Sequence, residues 1–560
     1  MRVFYWGIPM SNKNQKTLDN AENNDIILPA SQPASQPASH ALANERFERS
    51  WFAVQSLAKK FLSDLKHYTS KDYQEAQVRQ DFVDKFFVAL GWDVYHESHH
   101  DPYRQEVKIE KPEKKAKGRA DYSFSIAPHF KRVRFFVEAK RPQQDIATAD
   151  NCFQAIRYSW PRNIPIAVLT DFQYIYVLDS RYRPNINSSV SRIVDKWHCD
   201  DFKSRESFER LYWLLSREAV MNGSIENYAE NELPPPQSAV KQYSLFAHDV
   251  REFDDDFLQQ LDDWRVSLAS AFKKADNTLT DTQLTEAVQR TLDRLVFIRF
   301  LEDKLIEQDK IIERFGQNNK SHWQDFISVS KRLDETYNGI VFKPHSVVDN
   351  KNFQPSSADF TQICDELTDE HSPYNFDSIP VEILGRIYER FLGKVVQSKR
   401  KTVEAIEKDN VRKAGGVFYT PDYIVAYMVE QSLGDKIKGK TPDEILKLHV
   451  IDTACGSGSF LIGAFGYLLE TISTYYKKYP NKAKKGVLEA RGDDGEKYLT
   501  LNYKRCVLIN CIFGVDIDSQ AVEVAQLSLY LKLMEEETTN SAHQSQMEIG
   551  AALLPSLMNN

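Results

Sequence analysis

Apolar and polar positions along the chain fall into three regimes. From Glu75 to Leu90 the set Val78, Phe82, Val83, Phe86 and Phe87 recurs at helical spacing, and Gly91 is placed to end that helix. Residues 93–178 read as strands, with candidates at Ala120–Ala127, Arg134–Ala139, Ile166–Thr170 and Tyr174–Leu178 and a helix predicted at Ala147–Tyr158 between the second and third. That alternation predicts an α/β domain. After about residue 200 the strand signals fade, and the polar cluster Leu233-Pro-Pro-Pro-Gln237 marks a linker. A helical region follows. Leu284, Val288, Leu292, Leu295, Ile298 and Leu305 define an apolar stripe with Arg290, Arg294 and Glu302 between them, and a second helix is predicted at Val381–Leu392, stopped by Gly393. A basic stretch around Lys399–Lys413 leads to a third region, again α/β, that begins at Gly415.

Residues 11–45 contain the repeat Ser31-Gln-Pro-Ala-Ser35-Gln-Pro-Ala-Ser39 and offer no periodic apolar face, which predicts a disordered leader with order beginning near Phe47 and Met10 as an alternative start. The expected organisation is a leader (1–46), an α/β domain (47–200), a helical connector (201–410) and a second α/β region (411–560). A length of 560 residues supports several hydrophobic cores. Hydrophobic residues at 42% and charged residues at 27% describe an ordinary globular chain, and no apolar run reaches the ~18 residues that a membrane span needs. No membrane partner is expected. The net charge of −8 means that any nucleic-acid site must be a local patch. Six cysteines without a CxxC pair argue against a zinc site or a disulfide framework, and with no export signal they fit a reducing cytoplasm.

The first candidate chemistry lies in Arg119-Ala-Asp121 and Phe136-Val-Glu138-Ala-Lys140. Asp121 is expected at the start of one strand, with Glu138 and Lys140 near the end of the next and, by the strand period of two, on the same face. Two such carboxylates can hold Mg²⁺ with waters completing the shell, while the ammonium lowers the cost of forming an attacking hydroxide. Between Asp101 and Asp145 there are twelve bases against seven acids, opposite to the sign of the whole chain and suited to a phosphate backbone. The competing reading is a solvated, salt-bridged strand edge. These residues resemble the PD-(D/E)xK nucleases over roughly Glu75 to Tyr176, though no Pro precedes Asp121. The resemblance implies roles for Glu75, as the acidic residue of the family's first helix, and for Gln154 and Tyr158, as a QxxxY pattern after the core.

A second constellation starts with the strand Leu448-His-Val-Ile-Asp452, which turns through Thr453-Ala-Cys-Gly456-Ser-Gly458-Ser-Phe460 directly into a helix. Glycines there let a ligand approach the backbone at a helix N-terminus. The run Phe513-Gly-Val-Asp516-Ile-Asp518 reads as the next strand, with Asp516 at its tip where an acid can grip ribose hydroxyls. The two aspartates are 64 positions apart, so the polar stretch Lys477–Tyr498 reads as an insertion. Upstream, Gly416-Val-Phe-Tyr419-Thr420-Pro421 precedes a helix with Pro at its first position. An NAD-type Rossmann site is the alternative, weakened by the missing third glycine. The three motifs, in this order, resemble the amino-terminal part of adenine-specific DNA methyltransferases. That resemblance implies S-adenosylmethionine as cofactor. Tyr419, Thr420 and Pro421 would flank it, Asp452, Ala454, Cys455, Gly456, Gly458 and Phe460 would surround its methionine part, Asp516 would bind ribose and Ile517 would pack on adenine.

Together the pieces resemble the fused restriction-modification enzymes called Type IIG. Leu292-Asp-Arg-Leu-Val-Phe-Ile-Arg-Phe-Leu-Glu-Asp and Ile383-Leu-Gly-Arg-Ile-Tyr-Glu-Arg-Phe-Leu-Gly look like that family's linker helices, and equally like core-packing helices. The fold expected is multidomain α/β plus all-α, with a PD-(D/E)xK nuclease, a helical connector and a partial Rossmann-like methyltransferase sheet. The family's Asn-Pro-Pro-Tyr, which would hold a flipped adenine, is not found in the chain, and a target recognition domain is not recognised. The expectation is therefore an amino-terminal fragment or truncated gene that lacks a carboxy-terminal half or a separate specificity subunit and transfers no methyl group. Double-stranded DNA is the expected partner, with Mg²⁺ and S-adenosylmethionine as cofactors. The alternatives are a methyltransferase-type protein with a degenerate nuclease, or a binder for which S-adenosylmethionine is only an allosteric ligand.

Overall fold

The computed structural model describes residues 36–98, 105–109, 120–234, 253–407, 420–490, 497–535, 537 and 554–557, with short interruptions inside several of these ranges. By contacts the chain divides into Met1–Glu48 and Arg49–Asn560, so the three regions expected after the leader lie in one unit. The helix Gln36–Ser63 takes in part of the segment expected to be disordered. The whole is mixed α/β.

A six-stranded sheet runs in the order β1 (Val107–Ile109), β2 (Tyr122–Ile126), β3 (His129–Ala139), β4 (Ile166–Thr170), β5 (Tyr174–Asp179) and β6 (Ile193–His198). Only β3 and β4 pair in parallel; the other neighbours are antiparallel. A parallel pair needs a crossover, which the helix Ala149–Ser159 supplies. All of β4 is buried, as expected of a central strand that reads as a continuous apolar run. Under the other face lies an aromatic core in which Phe124 and Phe135 stack at 4.4 Å beside Phe87 and Trp92. The expected helix at 75–90 forms as Glu75–Val78, a π-helical turn Arg79–Val83, and Asp84–Ala89, with Gly91 beyond it at φ +90°.

The helical region packs Phe253–Ala275 against Asp281–Asp303. The second of these departs from the expected amphipathic pattern. It is buried on nearly every side, and Arg294, expected on a polar face, has no exposed surface. Its guanidinium is satisfied by the carbonyls of Val341, Phe342 and Lys343 and by both oxygens of Asp349, at 2.8–3.3 Å. A buried cation is tolerable when paired this completely. The basic stretch expected to be a plain connection instead begins as a hairpin, β7 (Lys394–Lys399) with β8 (Thr402–Glu407), and the remainder to Lys413 lies outside the described residues. Most of the Pro cluster at 233–237 is also outside them.

The last region pairs β9 (Val450–Asp452) in parallel with a later strand, Ile512–Gly514, flanked by helices Ser459–Lys478, Leu501–Cys511 and Ser519–Met534. The expected insertion contributes a small hairpin, β10 (Leu488–Ala490) with β11 (Lys497–Leu499), and Ile512–Gly514 is then β12. Among the described residues, no helix is long and apolar enough to cross a membrane.

Candidate functional site

The antiparallel register of β2 and β3 pairs Tyr122 with Val137, so Asp121, one residue ahead of β2, faces the end of β3. There the Ala139 N–H donates to Asp121 Oδ2 at 2.7 Å, fixing one carboxylate beside Glu138. The two-residue period of β3 brings Lys140 Nζ to 2.6 Å from Glu138 Oε1. The crossover helix adds the next groups. Lys140 Nζ also donates to Gln154 Oε1 at 2.9 Å, and Gln154 Nε2 donates to the Tyr158 hydroxyl one helical turn on at 3.0 Å. Asp121, Glu138, Lys140, Gln154 and Tyr158 thus form one constellation. Glu75, at the start of its helix, faces it closely enough to feel the Asp121 charge.

The electrostatics follow from burial. Asp121 and Glu138 are 8% and 3% exposed. Burial, reinforced by the neighbouring Asp121 charge, pushes the Glu138 carboxyl up to about 8, against the pull of Lys140. Burial also raises Glu75, with Asp121 repulsion adding to it, and raises Asp121 despite Arg79, the Ala139 N–H and Lys140. The Lys140 ammonium is held above its ordinary range by Glu138, overriding its own desolvation. Glu138 Oε2 is buried and has no hydrogen-bond partner. An oxygen in that condition is costly unless a cation or donor arrives. Among the described residues no group of three or more His, Cys, Asp or Glu side chains could hold a metal ion. Mg²⁺ is commonly bound through one or two carboxylates, with waters and substrate phosphate supplying the rest, so the two side chains fit it. Five of the twelve bases expected as a patch, Lys111, Lys114, Lys115, Lys117 and Arg119, lie at 110–119, outside the described residues.

One residue of this cluster escaped the sequence reading. Arg79 Nη1 donates to Asp121 Oδ1 at 2.8 Å, and its guanidinium lies 5.0 Å from the centre of the Tyr122 ring. The signal was present, since Arg79 follows Glu75 by four positions on a predicted helix.

At the second constellation, β9 ends at Asp452, whose Oδ1 accepts from the Ala454 N–H at 3.1 Å. Gly456 and Gly458 take φ of +53° and +86°, and a Cβ on Gly458 would come within 3.0 Å of Ala525 Cβ. Only glycine fits there. Asp516, expected at a strand tip, lies beyond β12 and binds the protein's own loops: Oδ2 accepts from the Gly456 N–H and Oδ1 from the Asp518 N–H, both at 2.9 Å. Cys455 is buried, with a thiol pushed up to about 11, whereas Ile517 is completely exposed. Phe460, in the first turn of its helix, and Thr420 are half-buried. Tyr419 and Pro421 lie outside the described residues. A glycine turn beside an exposed aliphatic side chain suits a nucleoside whose ring needs an apolar platform.

Residues 391–559 match the family model described as MmeI, DNA-methyltransferase domain. Over 497 residues, 87% of the chain, it is 30% identical to the Type II restriction enzyme and methyltransferase RM.Eco57I of Escherichia coli, covering 47% of that protein. A second relative is the adenine-specific methyltransferase BrxX of Escherichia coli O9:H4 (strain HS), 27% identical over 28% of this chain and 13% of its own. The chain therefore spans about half the length of the first relative and less of the second. Among solved structures, the DrdV–DNA complex aligns over 86% of this chain and 38% of its own at 13% identity, with a TM-score of 0.28, too low to speak for a shared fold.

The Glu138 carboxyl supplies a pH test. Its folded-state value of about 8 lies above the ordinary 4.5, so the native state holds a proton that the unfolded state has released between those values. With metal chelated, stability should fall as pH rises through that window. Glu138→Gln cannot ionise and should flatten this decline, leaving only the part owed to Glu75 and Asp121. Urea midpoints of both proteins at pH 5.5, 7 and 8.5 check it; parallel pH dependences would contradict the placement.

Proposed function

We infer, from homology to a fused restriction enzyme and methyltransferase together with the geometry of its two constellations, that this chain acts in restriction-modification, cutting double-stranded DNA at the first site and binding S-adenosylmethionine at the second. The observation that carries the first half is Glu138 Oε2, a buried carboxylate oxygen without a partner beside Asp121 and Lys140. It is what a PD-(D/E)xK nuclease needs and what a salt-bridged strand edge would not leave. Asp121 and Glu138 would hold Mg²⁺, which when bound supplies Lewis acidity to the phosphodiester and a lowered pKa to water. Lys140 keeps its proton and presents positive charge where a phosphorane would form. Gln154 holds the ammonium in place and Tyr158 holds Gln154, so both are positioning residues. Glu75 adds negative charge at the cation site.

For the second half, the match over 391–559 supports S-adenosylmethionine use. Gly456 and Gly458 let the methionine part approach the backbone, Asp516 braces the turn with a lone pair remaining for ribose, and Ile517 offers a platform to adenine. Adenine is proposed as the base that a domain of this kind methylates, from the motif order and from the relative named as adenine-specific, while no methyl transfer by these residues alone is proposed. No Asn-Pro-Pro-Tyr occurs in the chain, so no residue here is assigned to hold the base. Cytoplasmic action is part of the proposal, supported by six free cysteines.

Asp121→Asn and Lys140→Ala should each lower Mg²⁺-dependent cleavage of mixed-sequence duplex DNA by at least ~10³-fold while circular dichroism at the assay temperature stays that of the folded wild type. Retained cleavage in both would refute the nuclease. Separately, Asp516→Ala should weaken S-adenosylmethionine binding in equilibrium dialysis by ~10-fold or more without changing cleavage chemistry, because it frees the Gly456 turn. Unchanged binding would move the cofactor elsewhere.

A further inference from the structure

Arg79 has no part in the chemistry described so far, yet its guanidinium is bonded directly to the Asp121 carboxylate. The π-helical turn Arg79–Val83 interrupts an otherwise α-helical segment at this residue. Such turns shift side-chain direction and recur at functional sites. Arg79 is 8% exposed, its guanidinium is bonded to Asp121 Oδ1 at 2.8 Å, and it lies over the Tyr122 ring, whose hydroxyl donates to Asp84 Oδ1 at 2.7 Å. These contacts hold a permanent positive charge on a carboxylate that a divalent cation also needs.

The charges matter once the carboxylates are ionised, as a bound cation requires. Three carboxylates, Glu75, Asp121 and Glu138, face two cations, Arg79 and Lys140, so the ionised site carries a net −1. A divalent cation brings it to +1, an uncompensated charge in a buried place. One phosphodiester returns it to zero. Without Arg79 the site would begin at −2, and the cation alone would neutralise it.

We propose that Arg79 is a counter-ion that makes divalent-cation occupancy of the Asp121–Glu138 site depend on a bound DNA phosphate, so that the cation and the DNA backbone bind cooperatively. The inference rests on the nuclease reading above. It assigns Arg79 a positioning and gating role. By linkage, the factor by which DNA tightens the cation equals the factor by which the cation tightens DNA.

The test is Mn²⁺ binding to the full chain, followed by electron paramagnetic resonance, with and without a short phosphorothioate duplex that resists cleavage. Only the signal abolished by Asp121→Asn is counted. Wild type should bind Mn²⁺ about tenfold or more tightly with the duplex present. Arg79→Gln should bind Mn²⁺ tightly without DNA, with most of the enhancement gone, and Arg79→Lys, which keeps the charge, should retain the DNA dependence. A wild type whose Mn²⁺ affinity ignores DNA would overturn the proposal whether or not the variants fold. So would an Arg79→Gln protein that binds Mn²⁺ more weakly than wild type, the result expected if Arg79 merely holds Asp121 in place. In either case, Asp121-dependent Mn²⁺ binding leaves the nuclease reading standing. Absence of any Asp121-dependent Mn²⁺ signal, even with DNA, would remove the nuclease site and the proposal together.

Discussion

Like charges confined under a helix at the end of a sheet set the terms for this structure. Burial raises the pKa values of Glu75, Asp121 and Glu138, and the Asp121 charge raises the two glutamates further. Such a cluster is destabilising unless compensating charges and donors are placed well. The compensation comes from three separate elements: the Ala139 N–H at the end of β3, the Lys140 ammonium held by the crossover helix, and the Arg79 guanidinium on the π turn. One oxygen, Glu138 Oε2, is left over. A site that tolerates an unsatisfied carboxylate oxygen here retains free energy that a cation can recover.

The helix that positions Lys140 through Gln154 is also the anchor to the rest of the molecule. Arg157 Nη2 donates to the Tyr374 carbonyl at 2.8 Å, and Trp160 packs edge-on against Phe253 at 5.3 Å in the core of the helical region. That region in turn reaches the glycine-turn constellation: Arg290 pairs with Glu523 at 3.1 Å, and one cavity is lined by Asp281 and Gln397 on one side and by Asp518 and Gln520 on the other. The helices therefore contact both constellations. Their buried faces are those of core-packing helices.

How much was legible depended on burial. Ile166–Thr170 was read to the residue because every position is buried and apolar character runs unbroken. The edge strands β1 and β6 escaped: Val107–Ile109 is three residues long, and Asp195 and Lys196 break the alternation in Ile193–His198, as edges often do. Arg294 was placed on a polar face because sequence cannot show that three carbonyls and an aspartate 40 to 60 residues away converge on it. The ExK residues were legible since strand periodicity alone sets their relation. Arg79 needed the π turn, and the loop-bracing bonds of Asp516 needed the tertiary fold.

The central claim is that Asp121 and Glu138 form a divalent-cation site at which Lys140 faces the phosphodiester. The most direct measurement is the anomalous scattering of Mn²⁺ in crystals of the protein with uncleaved duplex DNA. The account predicts a peak within ~2.3 Å of an Asp121 oxygen and of Glu138 Oε2, with a DNA phosphate oxygen in the same shell. A structure with DNA bound and no peak there, or a peak whose ligands leave Glu138 Oε2 unpartnered, would contradict it.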